Sequence, residues 1–175
     1  MKKFELTNEF ITNMFGTKLF RIRALVEFGD VEAGELGGYV EKESNLGHDD
    51  NAWVYDNAWV YGNARVYDNA LVYGNARVYG NALVYDNAWV YGNARVCGDA
   101  RVCGNGDYAY AHGFGSVNRT TTFFRLKDGG VGVRCGCFYG TLAQFRDKIR
   151  ETHGETKKAQ EYLMLADLMK LRFEK

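Results

Sequence analysis

Residues 51–106 repeat with a period of six, and no other feature restricts the fold as strongly. The unit reads Val-Tyr-(Gly/Asp)-Asn-Ala-(Trp/Arg/Leu). Its valines fall at Val54, Val60, Val66, Val72, Val78, Val84, Val90, Val96 and Val102. Side-chain alternation in a short strand sends Ala52 and Val54 to one side and Trp53 and Tyr55 to the other. The Asp56-Asn57 pair that follows is made of residues that tolerate the left-handed backbone of a tight corner. Strand-plus-corner units of this kind close into a three-sided prism, a β-solenoid. Ala and Val fit its narrow interior. Tyr, Trp and Arg do not, so they must point outward.

The unit resembles the hexapeptide repeat of left-handed parallel β-helix proteins. In that family an aliphatic residue is followed four positions later by a small one, as Val54 is by Ala58 and Val60 by Ala64. The resemblance implies a mainly β chain with a left-handed parallel β-helix. Tyr or Cys stands here where the family usually has Gly after the aliphatic residue. Val40, Ser44 and Leu46 continue the spacing upstream, which gives three to four coils. His48-Asp49-Asp50 breaks the register by two residues and predicts a loop. Burial of nine valines does not offset the ordering of more than fifty residues, so the prism needs caps, a partner, or both.

Three segments follow from this reading. Residues 1–50 form an N-terminal β cap, with strand character over Lys18–Phe28 and punctuation at Gly29-Asp30 and Gly37-Gly38. Residues 51–106 form the solenoid. Residues 107–175 form an α+β segment. In it, Thr120–Leu126 and Val131–Cys137 read as a hairpin around Lys127-Asp128-Gly129-Gly130. Thr141-Leu142-Ala143-Gln144 opens a helix with a capping box. A second helix spans about 156–173, with Tyr162, Leu165, Ala166, Met169 and Phe173 on one face.

The chain has 22 basic and 22 acidic residues, a balance that argues against bulk DNA or RNA binding. No apolar run is long enough for a membrane helix, and no signal peptide stands out, so a cytoplasmic location is expected. Cys97, Cys103, Cys135 and Cys137 are then expected as reduced thiols. Cys135-x-Cys137 lacks the spacing and second pair of a metal site, and no metal or cofactor is expected.

The three-part layout also resembles small hexapeptide-repeat proteins encoded by bacteriophages and prophages. Its landmarks are Phe28-Gly-Asp-Val31, the Leu36–Glu43 stretch, the Asn-Ala-Trp-Val-Tyr repeats, and Cys135-Gly-Cys-Phe-Tyr-Gly-Thr-Leu142. That resemblance implies an accessory protein acting on host machinery.

The outward residue before each valine sorts into three columns, one per prism face. Face one carries Trp53, Leu71 and Trp89; face two carries Trp59, Arg77 and Arg95; face three carries Arg65, Leu83 and Arg101. The apolar face one, with Tyr73, predicts a subunit contact in a homo-oligomer, since exposed apolar patches mark interfaces. Packing through one face is common in left-handed β-helix trimers, so a homotrimer is expected. The competing reading is that Tyr and Trp merely stack along the solenoid. On faces two and three, Trp59, Arg65, Arg77, Tyr79, Arg95 and Arg101 combine aromatic rings with guanidiniums, which suits a small anionic nucleotide. The competing reading there is simple solubility.

Four functions remain open. A non-catalytic binding protein that sequesters a nucleotide immune signal, or occludes a host protein, fits the absence of any evident catalytic constellation. An acyltransferase using acyl-CoA is the enzymatic alternative, with His48, His112 or His153 as general base. A zinc or redox site on the cysteines and a structural spacer in a virion complete the set.

Overall fold

A computed structural model describes residues 1–174 of the 175-residue chain. The chain is mainly β, a β-solenoid of about four turns flanked by a β cap on one side and an α+β segment on the other. The N-terminal strands are β1 (Phe4–Thr12), β2 (Lys18–Ala24) and β3 (Leu36–Val40). Nine two-residue strands then follow at hexad spacing: β4 (Trp53–Val54), β5 (Trp59–Val60), β6 (Arg65–Val66), β7 (Leu71–Val72), β8 (Arg77–Val78), β9 (Leu83–Val84), β10 (Trp89–Val90), β11 (Arg95–Val96) and β12 (Arg101–Val102). They pair in parallel every third strand. The faces are β4-β7-β10, β5-β8-β11 and β6-β9-β12, the three columns expected from the spacing. Every repeat Ala and Val is fully buried. The corners use φ between 53° and 58° at Asp56, Asp68 and Asp86, and Gly supplies the same backbone at the other turns.

The coil before β4 is irregular. Val40 pairs with Val60 and Leu46 bridges Val66, so the partial upstream coil exists. Both offsets are twenty residues, while Trp53 pairs with Leu71 at eighteen, so the two-residue insertion falls in the His48 loop. Ser44 is exposed, contrary to the expected inward small residue. The 3-10 turn Glu43–Asn45 displaces it, and Asn45 is buried instead. The Asn45 backbone N–H turns to Lys42, so its side chain donates to the Gly62 and Ala64 carbonyls in its place, at 3.1 and 2.8 Å.

Outside the parallel strand pairs, which bond in both directions, the hydrogen bonds between coils run one way. The N–H groups on either side of each valine donate to a carbonyl one coil above, as Trp59 does to Ala76 and Arg77 to Ala94, both at 2.9 Å. The bottom end therefore needs donors and the top end needs acceptors. Buried Lys3 supplies the former: its Nζ donates to the Asp50 and Ala52 carbonyls at 2.7 and 2.8 Å. Burial pushes this amine down to about 8, with Asp50 and Asp49 acting against the shift. Thr122 Oγ1, Asn105 Oδ1 and Asp107 Oδ2 meet the top, accepting from Arg95, Trp89 and Cys103 backbone N–H groups.

The N-terminal cap extends face two: β1-β2-β3 continues into β5-β8-β11 as one six-stranded sheet. Gly37 and Gly38 lie inside β3 rather than in a turn. A Cβ on Gly38 would meet the Ala58 carbonyl at 2.7 Å and Val54 Cγ1 at 2.7 Å, so only glycine lets β3 pass this close to the first full coil.

The C-terminal segment is larger than the expected hairpin. Strands β13 (Tyr108–Phe114), β14 (Arg119–Arg125), β15 (Val131–Cys135) and β16 (Phe138–Thr141) form an antiparallel sheet. Helices α1 (Leu142–His153) and α2 (Lys157–Phe173) follow. Thr141 and Gln144 make the expected capping box, and Thr156 caps α2. The sheet has two buried faces. Phe124 and Tyr108 belong to the solenoid core, while Phe123 and Val133 pack with Phe145, Ile149, Tyr162 and Ala166 of the helices. The sheet closes the prism, and the helices cover the sheet's far side.

Candidate functional site

Face one differs from expectation at its base. Trp53 points outward but is fully buried, because Phe4 and Phe28 fold over it with ring centroids 6.2 and 5.3 Å away. The cap claims this residue, so it is unavailable to a second subunit. Leu71 is half-buried and Trp89 is 47% exposed. Together with Tyr55, Asp56 and Tyr73 they line a shallow groove. The tyrosines after the valines do stack along the solenoid: Tyr61 on Tyr79, Tyr67 on Tyr85 and Tyr73 on Tyr91, at 5.0–5.2 Å.

The six predicted ligand residues divide between faces. Arg65 and Arg101 lie on face three with Leu83 between them in register. Arg65 stacks over Tyr67, and Arg101 donates to the Asn81 and Ala100 carbonyls. They do not join the others. Trp59, Arg77 and Arg95 stand in register on face two, and Tyr79 lies at the following corner.

Face two is where cations gather. The Arg77 guanidinium lies 3.9 Å over the Trp59 ring. Burial lowers its pKa, and the neighbouring Arg95 charge lowers it further. The top of this column meets the C-terminal sheet. The Arg95 backbone N–H donates to Thr122 Oγ1 at 3.0 Å, and Thr122 pairs with Arg134 on β15. Arg134 in turn stands 6.0 Å over Tyr79. Burial raises the Tyr61 phenol above its ordinary value, while Arg77, Arg95 and Arg134 all act on it in the opposite direction. Arg134 thus stands over the stacked Tyr61–Tyr79 pair, and Arg77 and Arg95 follow one another in register beside it. Among the described residues, none of Arg77, Arg95, Arg119 and Arg134 has a carboxylate within 4.0 Å. Arg134 Nε is buried without a partner.

Beside this column lies a cleft of about 410 Å³, lined by Asn93, Arg95, His112, Arg119, Thr120 and Gly136. His112 Nδ1 is 2.8 Å from Thr120 Oγ1. Asp107, at the face-three end of the top coil, is engaged by Arg125 at 3.1 Å.

Arg119 and Arg134 lay outside the sequence-predicted set. Alternation in β15 puts Arg134 on the face opposite Val133, but only the docking of the sheet shows that this face meets the prism. The cysteines are spread over the fold. Burial raises the pKa of the Cys97 thiol, while its hydrogen bond with Tyr79 acts against the shift, and Cys103 lies exposed on another face. All four cysteines are free, and no group of three His, Cys, Asp or Glu side chains converges among the described residues. No described helix is long and apolar enough to cross a membrane.

A family model described as the YdcK beta-solenoid repeat matches residues 58–74, 64–78 and 76–92. No curated protein matches the chain. The matched span, residues 58–92, is 35 of 175 residues and about two coils. Over that span the chain is similar to this β-solenoid repeat, in agreement with the architecture.

Proposed function

We propose that the protein is a non-catalytic binding protein that holds a small anionic nucleotide on face two. The observation that carries this reading is the group Arg77, Arg95 and Arg134, three guanidiniums around stacked rings with no carboxylate partner among the described residues. Guanidiniums bind phosphate bidentately and lie flat on aromatic faces. The adjoining cleft has room for the part of the ligand that leaves the column. The resemblance to phage-encoded proteins supports a host signalling nucleotide as the ligand, sequestered to blunt host defence. Self-association into a trimer would use what remains of the apolar face, Leu71, Tyr73 and Trp89.

Replacing both Arg77 and Arg95 with Ala removes two charge-assisted contacts. The expected loss of affinity for an adenine or guanine nucleotide is about 100-fold, measured by equilibrium titration at fixed salt. Unchanged affinity in the double variant would remove the face-two assignment.

One observation favours a second reading. His112 lines the same cleft as Arg95 and Arg119, where a general base could serve acyl transfer from an acyl-CoA. Turnover of acetyl-CoA that is lost in His112→Ala would support that reading and displace the first.

A further inference from the structure

The far side of the C-terminal sheet carries a second, half-open cavity, separate from face two. It has a volume of about 190 Å³. Phe138, Phe145, Ile149 and Tyr162 form its apolar wall. The polar atoms in this wall are occupied with one another. Thr121 Oγ1 donates to Cys135 Sγ at 3.2 Å, and Tyr162 Oη lies 3.8 Å from the same sulfur. Burial pushes the Tyr162 phenol up to about 12, and the neighbouring Cys135 adds to the shift. The interior therefore offers a mainly apolar, uncharged surface.

Arg119 and Lys148 bring positive charge to the rest of the lining, beside Ser116, Cys137, Thr152 and His153. Arg119 and Lys148 are exposed and His153 is half-buried. They stand on the solvent side of the apolar wall. Lys148 reaches Glu151 at 3.0 Å, an exposed pair of the weak kind, and no carboxylate lies within 4.0 Å of Arg119 or His153 among the described residues. His153 lies nearly parallel to Tyr162, with centroids 5.9 Å apart. A cavity of about 150 Å³ lined by apolar side chains is large enough for benzene. This one adds a positive rim to a space of that order.

We infer that the cavity between the C-terminal sheet and α1 is a binding site for a small aromatic carboxylate, with the ring against Phe145 and Ile149 and the carboxylate at Lys148 and Arg119. Ring and charge are both required. The apolar wall excludes a bare phosphate, and the rim repels a cationic ring. Only Arg119 lines both this cavity and the face-two cleft, so Lys148 and Ile149 separate the two sites.

The test uses the full-length protein and benzoate, with benzylamine as the isostere of opposite charge. Benzoate is expected to saturate the site by about 1 mM in a titration followed by NMR shifts or calorimetry, while benzylamine does not saturate over the same range. Lys148→Glu is expected to weaken benzoate at least tenfold, and Ile149→Phe to abolish binding by filling the cavity. Should Ile149→Phe fail to fold, the exposed Lys148→Glu carries the test alone. Benzoate that fails to saturate, benzylamine that binds equally well, or a Lys148→Glu variant with unchanged affinity each overturns the inference. None of these results bears on Arg77 and Arg95.

Discussion

Trp53→Ala is expected to destabilise the fold by about 3–5 kcal/mol, whereas Trp89→Ala, at the same repeat position two coils higher, is expected to cost under about 1 kcal/mol. The two tryptophans precede equivalent valines on the same face. They differ in what covers them: Trp53 is sealed under Phe4 and Phe28, and Trp89 is 47% exposed. Truncation of Trp53 leaves a cavity at the seam of cap and solenoid, where Gly37 and Ile22 also meet its surroundings. Nothing there can collapse without moving β3. Truncation of Trp89 leaves only a wetter surface. Urea denaturation of both variants reads the contrast directly. Equal midpoints for the two would mean that the cap does not seal face one.

Phe124→Ala carries the second large effect, also about 3–5 kcal/mol. Phe124 is fully buried and plugs the top of the prism, while its neighbour Phe123 faces the helices. The two substitutions should cost similar amounts but loosen different regions. Native-state hydrogen exchange is expected to rise along the upper coils, around Val84 and Val96, in Phe124→Ala. In Phe123→Ala it should rise in α1 and α2 instead. The same exchange pattern in both variants would show that the sheet does not divide two cores. Both predictions concern the ends, because a parallel solenoid is self-sufficient only in its middle. Its bottom lacks donors and its top lacks acceptors, and the caps fill these roles with Lys3 below and Thr122, Asn105 and Asp107 above.

The solenoid was legible because one short unit states its own geometry nine times. Alternation fixed which side chains face inward, and the period of six fixed which residues share a face. Local signals also located both C-terminal helices, the first through the Thr141–Gln144 capping box and the second through its apolar face from Tyr162 to Phe173. Three things were not legible, and each depends on contact between distant segments. Trp53 looks like any other outward tryptophan until Phe4 and Phe28 cover it. Ser44 fits the repeat spacing, but the turn at Glu43–Asn45 gives the inward place to Asn45. The cation site had a readable half in Arg77 and Arg95. Its other half, Arg134, comes from a strand some forty residues further along, whose docking no periodicity encodes. The period of six already put Arg65 and Arg101 on face three, and only their shared composition grouped them with that site; the structure keeps the two faces apart.

Native mass spectrometry of the purified protein, with pooled cyclic and linear nucleotides plus acetyl-CoA, tests the central claim most directly. The account predicts an oligomer, a trimer in its sharpest form, that retains an intact nucleotide, with retention lost in the Arg77→Ala, Arg95→Ala double variant. An assembly that retains no nucleotide, or that retains and consumes acetyl-CoA, would contradict it.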